Sequence, residues 1–166
     1  MAGSTSLPRV EPHIAFAPGA ESNSLAVWAS DRIEETVLRA GPVRRDFFAL
    51  RAAVALVAPD KRLQVTLRFD HGYLTVHDGV IGVPDMTLCA DEAALHAMAD
   101  LPLTRLGRVP DVRKNAWRSL SLELLSGDLR IYGLLAHPRL LLRLLRVIGA
   151  GRAESASAEK KATEND

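Results

Sequence analysis

Cys89 is the only thiol in 166 residues, which excludes an internal disulfide framework and fits a reducing, cytoplasmic setting. Aromatic residues amount to 5%, and the arginines are not interleaved with them, so a nucleic-acid stacking platform is not expected. Tyr73 and Tyr132 read as ordinary residues on the solvated face of a sheet. There is no glycine-rich phosphate loop, no nucleophile elbow, no paired-cysteine motif and no His-Glu-x-x-His. His71 and His77, with Asp70 or Asp78, could approach across a hairpin, but the preferred reading is solvated turn residues rather than a metal site. The expectation is a non-enzyme without cofactor. A secretory or transit signature is also missing, since acidic Glu11 and Glu21 come early and no apolar stretch follows basic residues.

Long apolar runs are scarce as well. The greasiest stretch, Leu140 to Ile148, is interrupted by Arg143 and Arg146. Fifteen helical residues rise about 22 Å against a hydrocarbon core of about 30 Å, so a membrane span is not expected. What the chain does have is a charge asymmetry hidden in a net +1. Residues 101–150 hold nine Arg or Lys against Asp111, Glu123 and Asp128. Basic charge beside excess apolar helix suits transient contact with an anionic membrane surface; the plainer alternative is that arginine keeps a Leu-rich helix soluble.

Residues 1–23, rich in Pro, Gly, Ser and Ala without periodicity, are expected to form a disordered leader, with one domain over 24–150 and a polar tail from 151 to 166. Leu25, Ala29, Ile33 and Val37 recur every four residues, and Asp31 with Glu34 has capping-box spacing, so helix is expected up to Gly41-Pro42. Val43, Phe47, Leu50, Val54 and Val57 then predict a second helix ending at Ala58-Pro59-Asp60. The period changes to two at Leu63, Val65, Leu67 and Phe69, which predicts a strand. Asp70-His71-Gly72 turns it into a second strand carrying Leu74 and Val76. Met86, Leu88 and Ala90 share one face of a third, so the region reads as an antiparallel meander with one apolar side. Asp91 is expected to cap a short helix bearing Ala94, Leu95 and Met98. Residues 111–125 suit either helix or strand, with helix favoured for length.

The last segment is a short alternating strand, Asp128 to Tyr132, stopped by Gly133 and followed by a helix with Pro138 in its first turn. Arg139, Arg143 and Arg146 fall at i, i+4 and i+7, one narrow polar stripe on an otherwise apolar helix. An ordinary surface helix is apolar over about a third of its circumference, so this one needs more cover than a sheet face supplies. A two-layer α+β domain with an apolar surplus accommodates an internal cavity, a lipid-facing surface or a dimer seam.

Three segments, VTLRFDHGYLTVHDG, PDMTLCADEAALHAMAD and LLSGDLRIYGLLAHPRLLLRLLRVI, resemble the sterol carrier protein type 2 family. The matching positions are the hairpin glycine Gly72, the strand-leading Asp85, the helix-capping Asp91, and Gly127, Leu129, Ile131 and Gly133 before the Leu-rich helix. The resemblance spans residues 35–148. It implies an antiparallel-rich, curved, five-stranded sheet with helices packed on one face and a hydrophobic tunnel between them. It also implies binding of sterols, fatty acyl chains, phospholipids or prenyl lipids without catalysis, and bacterial relatives that assist quinone biosynthesis. The tunnel walls are then expected to be Leu74, Val76, Met86 and Leu88 from the sheet, with Leu124, Leu141, Leu144, Leu145 and Ile148 opposite. Arg139, Arg143 and Arg146 are expected to face solvent or membrane. The alternative partner is a second copy of the chain, in a homodimer with a filled core.

Overall fold

Hydrophobic periodicity places most of the elements, and burial on both faces of one strand explains where it misleads. The computed structural model describes residues 11–39, 41–100 and 129–149. In chain order these form β1 (His13–Phe16), a 3-10 turn (Ala20–Ser22), α1 (Ser24–Arg39), α2 (Gly41–Phe48), β2 (Arg51–Ala58), β3 (Leu63–Asp70), β4 (Tyr73–Asp78), β5 (Met86–Cys89), α3 (Glu92–Ala99), β6 (Arg130–Tyr132) and α4 (Pro138–Gly149). The expected helix or strand at 111–125 and the polar tail lie outside the described residues.

The sheet has six strands in the order β1-β4-β3-β2-β5-β6, and it is mixed rather than a meander. β2, β3 and β4 are antiparallel neighbours, but β5 runs parallel to β2 and β1 parallel to β4. The sixth strand comes from the stretch expected to be a disordered leader: four residues within a Pro- and Gly-rich segment are too few for a legible period, yet they add to the free edge of β4. The Asp70-His71-Gly72 hairpin forms as expected, with His71 and Gly72 both at positive φ, the two-residue geometry that matches strand twist.

The second expected helix is corrected. It stops at Phe48, and Leu50, Val54 and Val57 pass into the connection and strand β2. Val54, Ala55 and Leu56 are all buried, so this central strand presents apolar residues on both faces and its run carries no alternation to distinguish it from helix. α1 ends at Arg39, before Gly41-Pro42 as expected, and Gly41-Pro42 forms the first turn of α2, where proline's missing N–H costs nothing.

Helix capping is also reassigned. Asp31 lies inside α1, whose N-terminus is capped by Asn23: its Oδ1 accepts from the Leu25 and Ala26 N–H groups at 3.0 and 3.3 Å. Its Nδ2 donates to the Gln64 carbonyl at 3.0 Å and to Asp78 Oδ1 at 2.6 Å, so one buried amide ties α1 to the β3–β4 hairpin. Asp91 occupies the N-cap of α3 without a side-chain bond. The Glu92 N–H instead donates to Asp60 Oδ1 from the β2–β3 turn.

The helices and the apolar sheet face share one core. Phe16, Val76, Leu67, Val54 and Met86 form a row across five strands, and Val65, Leu56, Leu88 and Ile131 a second row beside it. Leu25, Ala29, Ile33 and Val37 of α1 are buried in the same cluster, as are Phe47 of α2 and Leu95 of α3. Replacing Asn23 with Ala removes a cap and leaves buried backbone donors unpaired, which is expected to lower unfolding free energy by about 1–2 kcal/mol in urea titration. Asn23→Asp keeps the cap acceptor but sets a carboxylate against Asp78. Repulsion between the two carboxylates is expected to lower the urea midpoint of that variant as well.

Candidate functional site

The described residues expected to line the walls all fall in the core shared by the sheet and the helices. Alternation along β4 and β5 turns Leu74, Val76, Met86 and Leu88 inward, and all four are buried. Across from them, α4 buries Leu140, Leu144, Leu145, Val147 and Ile148. Leu141 is partly buried and packs on the same cluster. Leu124 lies outside the described residues. These side chains belong to one continuous buried cluster, and the elements that pack against α4 are α1, α2 and α3. The cluster also takes in Phe47 and Phe69, which the periodicity put on apolar faces but which were not among the expected wall residues; their rings meet edge to face at 6.1 Å.

The arginine stripe divides. Arg139 is exposed. Arg146 instead donates from Nη1 to Asp46 Oδ2 of α2 at 2.8 Å, and Arg143 lies 4.0 Å from Asp46 Oδ1 while donating to the Ala49 carbonyl at 3.3 Å. Asp46 and the carbonyl just past the C-terminus of α2 thus hold two cations of α4, an arrangement the helix dipole favours. No period pointed to Asp46; it sits off the apolar stripe of α2, and only the packing of α2 on α4 reveals its role.

Other candidates separate in space. His71 lies in the β3–β4 turn and His77 near the far end of β4, six residues or roughly 20 Å along a strand, so they do not share a site. Among the described residues no three of His, Cys, Asp and Glu are grouped to hold a metal ion. Tyr73 and Tyr132 are exposed but sit on β4 and β6, four strand positions apart. Cys89 is half-buried on the face opposite Met86 and Leu88. No helix among the described residues is long and apolar enough to cross a membrane.

Two surface clefts flank the core. One of about 250 Å³ lies between β1 and α1, lined by His13, Ile14, Phe16, Asp31, Glu34 and Leu38 among others. A second of about 180 Å³ opens where β2 begins and α4 starts, with Arg51, Asp85, His137, Leu140 and Arg143 in its walls. Both are smaller than the ~300–1,000 Å³ of ordinary small-molecule pockets.

These contacts carry defined costs. Leu144→Ala, at a fully buried position, is expected to lose about 2–5 kcal/mol of stability. Asp46→Ala, which strands the buried end of Arg146, is expected to lose about 1–2 kcal/mol, and Arg139→Ala to stay within about 0.5 kcal/mol of the parent. Urea unfolding midpoints measure all three.

No family model matches the chain, and no curated protein matches it. Solved structures do. A protein described as "UbiJ-SCP2 Ubiquinone synthesis protein" superposes with a TM-score of 0.54 at 15% identity, over 77% of this chain and 95% of its own. A crystal structure of sterol carrier protein 2 gives 0.47 at 16% identity over 76% and 94%, and a solution structure of a conserved hypothetical protein from Thermus thermophilus gives 0.40 at 16% over 75% and 86%. At these identities the likeness is one of fold, and the first superposition carries it: the chain has the α+β fold of the sterol carrier protein type 2 family.

Proposed function

We propose that this protein binds a hydrophobic molecule, of sterol, fatty acyl, phospholipid or prenyl-lipid class, between the sheet and α4, and carries it without chemical change. What supports the reading is that Leu74, Val76, Met86 and Leu88 of the sheet and Leu141, Leu144, Leu145 and Ile148 of α4 belong to one apolar core in a fold of this type. A ligand chain would replace contacts within that core, so α4 is the element that has to yield. Its charged side is held by Asp46 while its other side rests on apolar contacts alone, which lets the helix shift away from the sheet without exposing an unpaired cation. Arg139 stays available to solvent or lipid throughout.

A narrower version is that the cargo is a prenyl-quinone precursor presented to membrane-bound enzymes. The fold match to a protein described as acting in ubiquinone synthesis favours it, together with the basic C-terminal part of the sequence. The competing reading is a dimerisation module with a filled core; because Leu144 is buried inside the protomer, any such seam would use other residues.

Protein purified from cells and weighed by native mass spectrometry is expected to carry extra mass that organic extraction removes, and the extract identifies the lipid class. A prenyl quinone or its precursor in the extract supports the narrower version. Protein at its bare mass, together with no uptake of a fluorescent acyl probe, would overturn the proposal.

A further inference from the structure

A lipid carrier has to meet the bilayer somewhere, and among the described residues the most solvent-exposed large apolar side chains are not on α4. Val83 is 94% and Leu135 99% exposed, with Ile81 and Tyr132 each more than half exposed. Val83 lies on the connection from β4 to β5, and Leu135 on the connection from β6 to α4. The sheet brings the two together. β5 and β6 are antiparallel, with Thr87 opposite Tyr132, so the chain before β5 and the chain after β6 leave from the same end of the pair. Gly133 abuts the Asp85 backbone so closely that a Cβ there would collide with the Asp85 carbonyl. Val83 and Leu135 stand two residues beyond that junction on either side.

Both tips are held on firm supports. The β4–β5 connection crosses the outer sheet face under restraint: Thr66 Oγ1 donates to the Gly79 carbonyl and accepts from the Ile81 N–H at 2.8 and 2.9 Å. Asp85 pairs with β2, its N–H donating to the Ala53 carbonyl and its Oδ2 accepting from the Ala53 N–H, both at 2.8 Å. On the other side the His137 N–H donates to the Gly133 carbonyl at 2.9 Å. The apolar tips are therefore presented by anchored loops. Beside them opens the 180 Å³ cleft with Arg51, Arg143 and His137 in its walls, and Arg139 is exposed in the first turn of α4. Asp85, the acid of this cleft, is already engaged by the Ala53 N–H.

We propose that this corner docks on an anionic bilayer, with Val83 and Leu135 entering the acyl boundary while Arg51 and Arg139 meet lipid phosphates. Two apolar points on the end of the molecule that carries Arg51 and Arg139 match a membrane interface, where apolar burial and electrostatic attraction act together. The proposal rests on the carrier reading and deepens it by locating the face through which cargo is exchanged, at the end of α4 where Leu140 lines the cleft. Its test measures vesicle association rather than cargo uptake, so either can fail without the other.

Flotation with vesicles of phosphatidylcholine alone, and of phosphatidylcholine and phosphatidylglycerol in equal parts, separates the outcomes. The parent is expected to float with the anionic vesicles at low salt, and less at high salt. The double variant Val83→Asp with Leu135→Asp changes only near-fully exposed side chains, so its urea midpoint should match the parent while its vesicle affinity falls about tenfold or more. Arg139→Glu should weaken binding to anionic vesicles alone. Equal flotation of parent and double variant would overturn the proposal. So would indifference of the parent to both vesicles, or light scattering that shows the parent as a dimer and the double variant as a monomer, which would assign the corner to self-association.

Discussion

Burial of one face of α4 is the contact on which the rest of the molecule depends. Leu140, Leu144, Leu145, Val147 and Ile148 leave water together, at about 1.5–3 kcal/mol each, so the gross driving force for docking this helix is on the order of ten kcal/mol. α1, α2 and α3 all pack against it. Asp46 then fixes its rotation by holding Arg143 and Arg146 on the far side. The same interaction bears on the proposed function: a ligand housed against this helix would have to supply the apolar contact that its neighbours in the core now give it.

The α4 face was legible because its signal is strong and local. So was the hairpin, where period-two alternation and a His-Gly turn agree, and so were the inward residues of β4 and β5. What escaped depended on neighbours. Ala52 to Ala58 reads as helix because β2 is covered on both sides, by the helical layer below and by the β4–β5 connection over Thr66 and Ala55 above. Strand β1 exists only because β4 offers it an edge. Asn23 gave no capping-box signature, since its partners Gln64 and Asp78 lie far along the chain.

The wall residues show how much of a site can be read and where the reading stops. Alternation on the strands and helical period on α4 suffice to choose Leu74, Val76, Met86, Leu88, Leu144, Leu145 and Ile148 as inward-facing, and the fold brings them together. Neither period reveals how closely two such surfaces approach, because that distance is set by the whole cluster, including Phe47 and Phe69, which periodicity placed on apolar faces but could not bring next to one another. The arginine stripe carries the same lesson: spacing put three cations on one line, and Asp46 on another helix decided that two of them look inward to α2.

Function in this account is a property of packing rather than of reactive groups, so the decisive observation concerns α4 itself. Hydrogen exchange measured on lipid-stripped protein, with and without a saturating long-chain fatty acid, reads that helix directly. The account predicts slowed exchange over Pro138–Gly149 and along β4 and β5 when the ligand is present. Exchange unchanged over those elements, or changed only elsewhere in the chain, would contradict it.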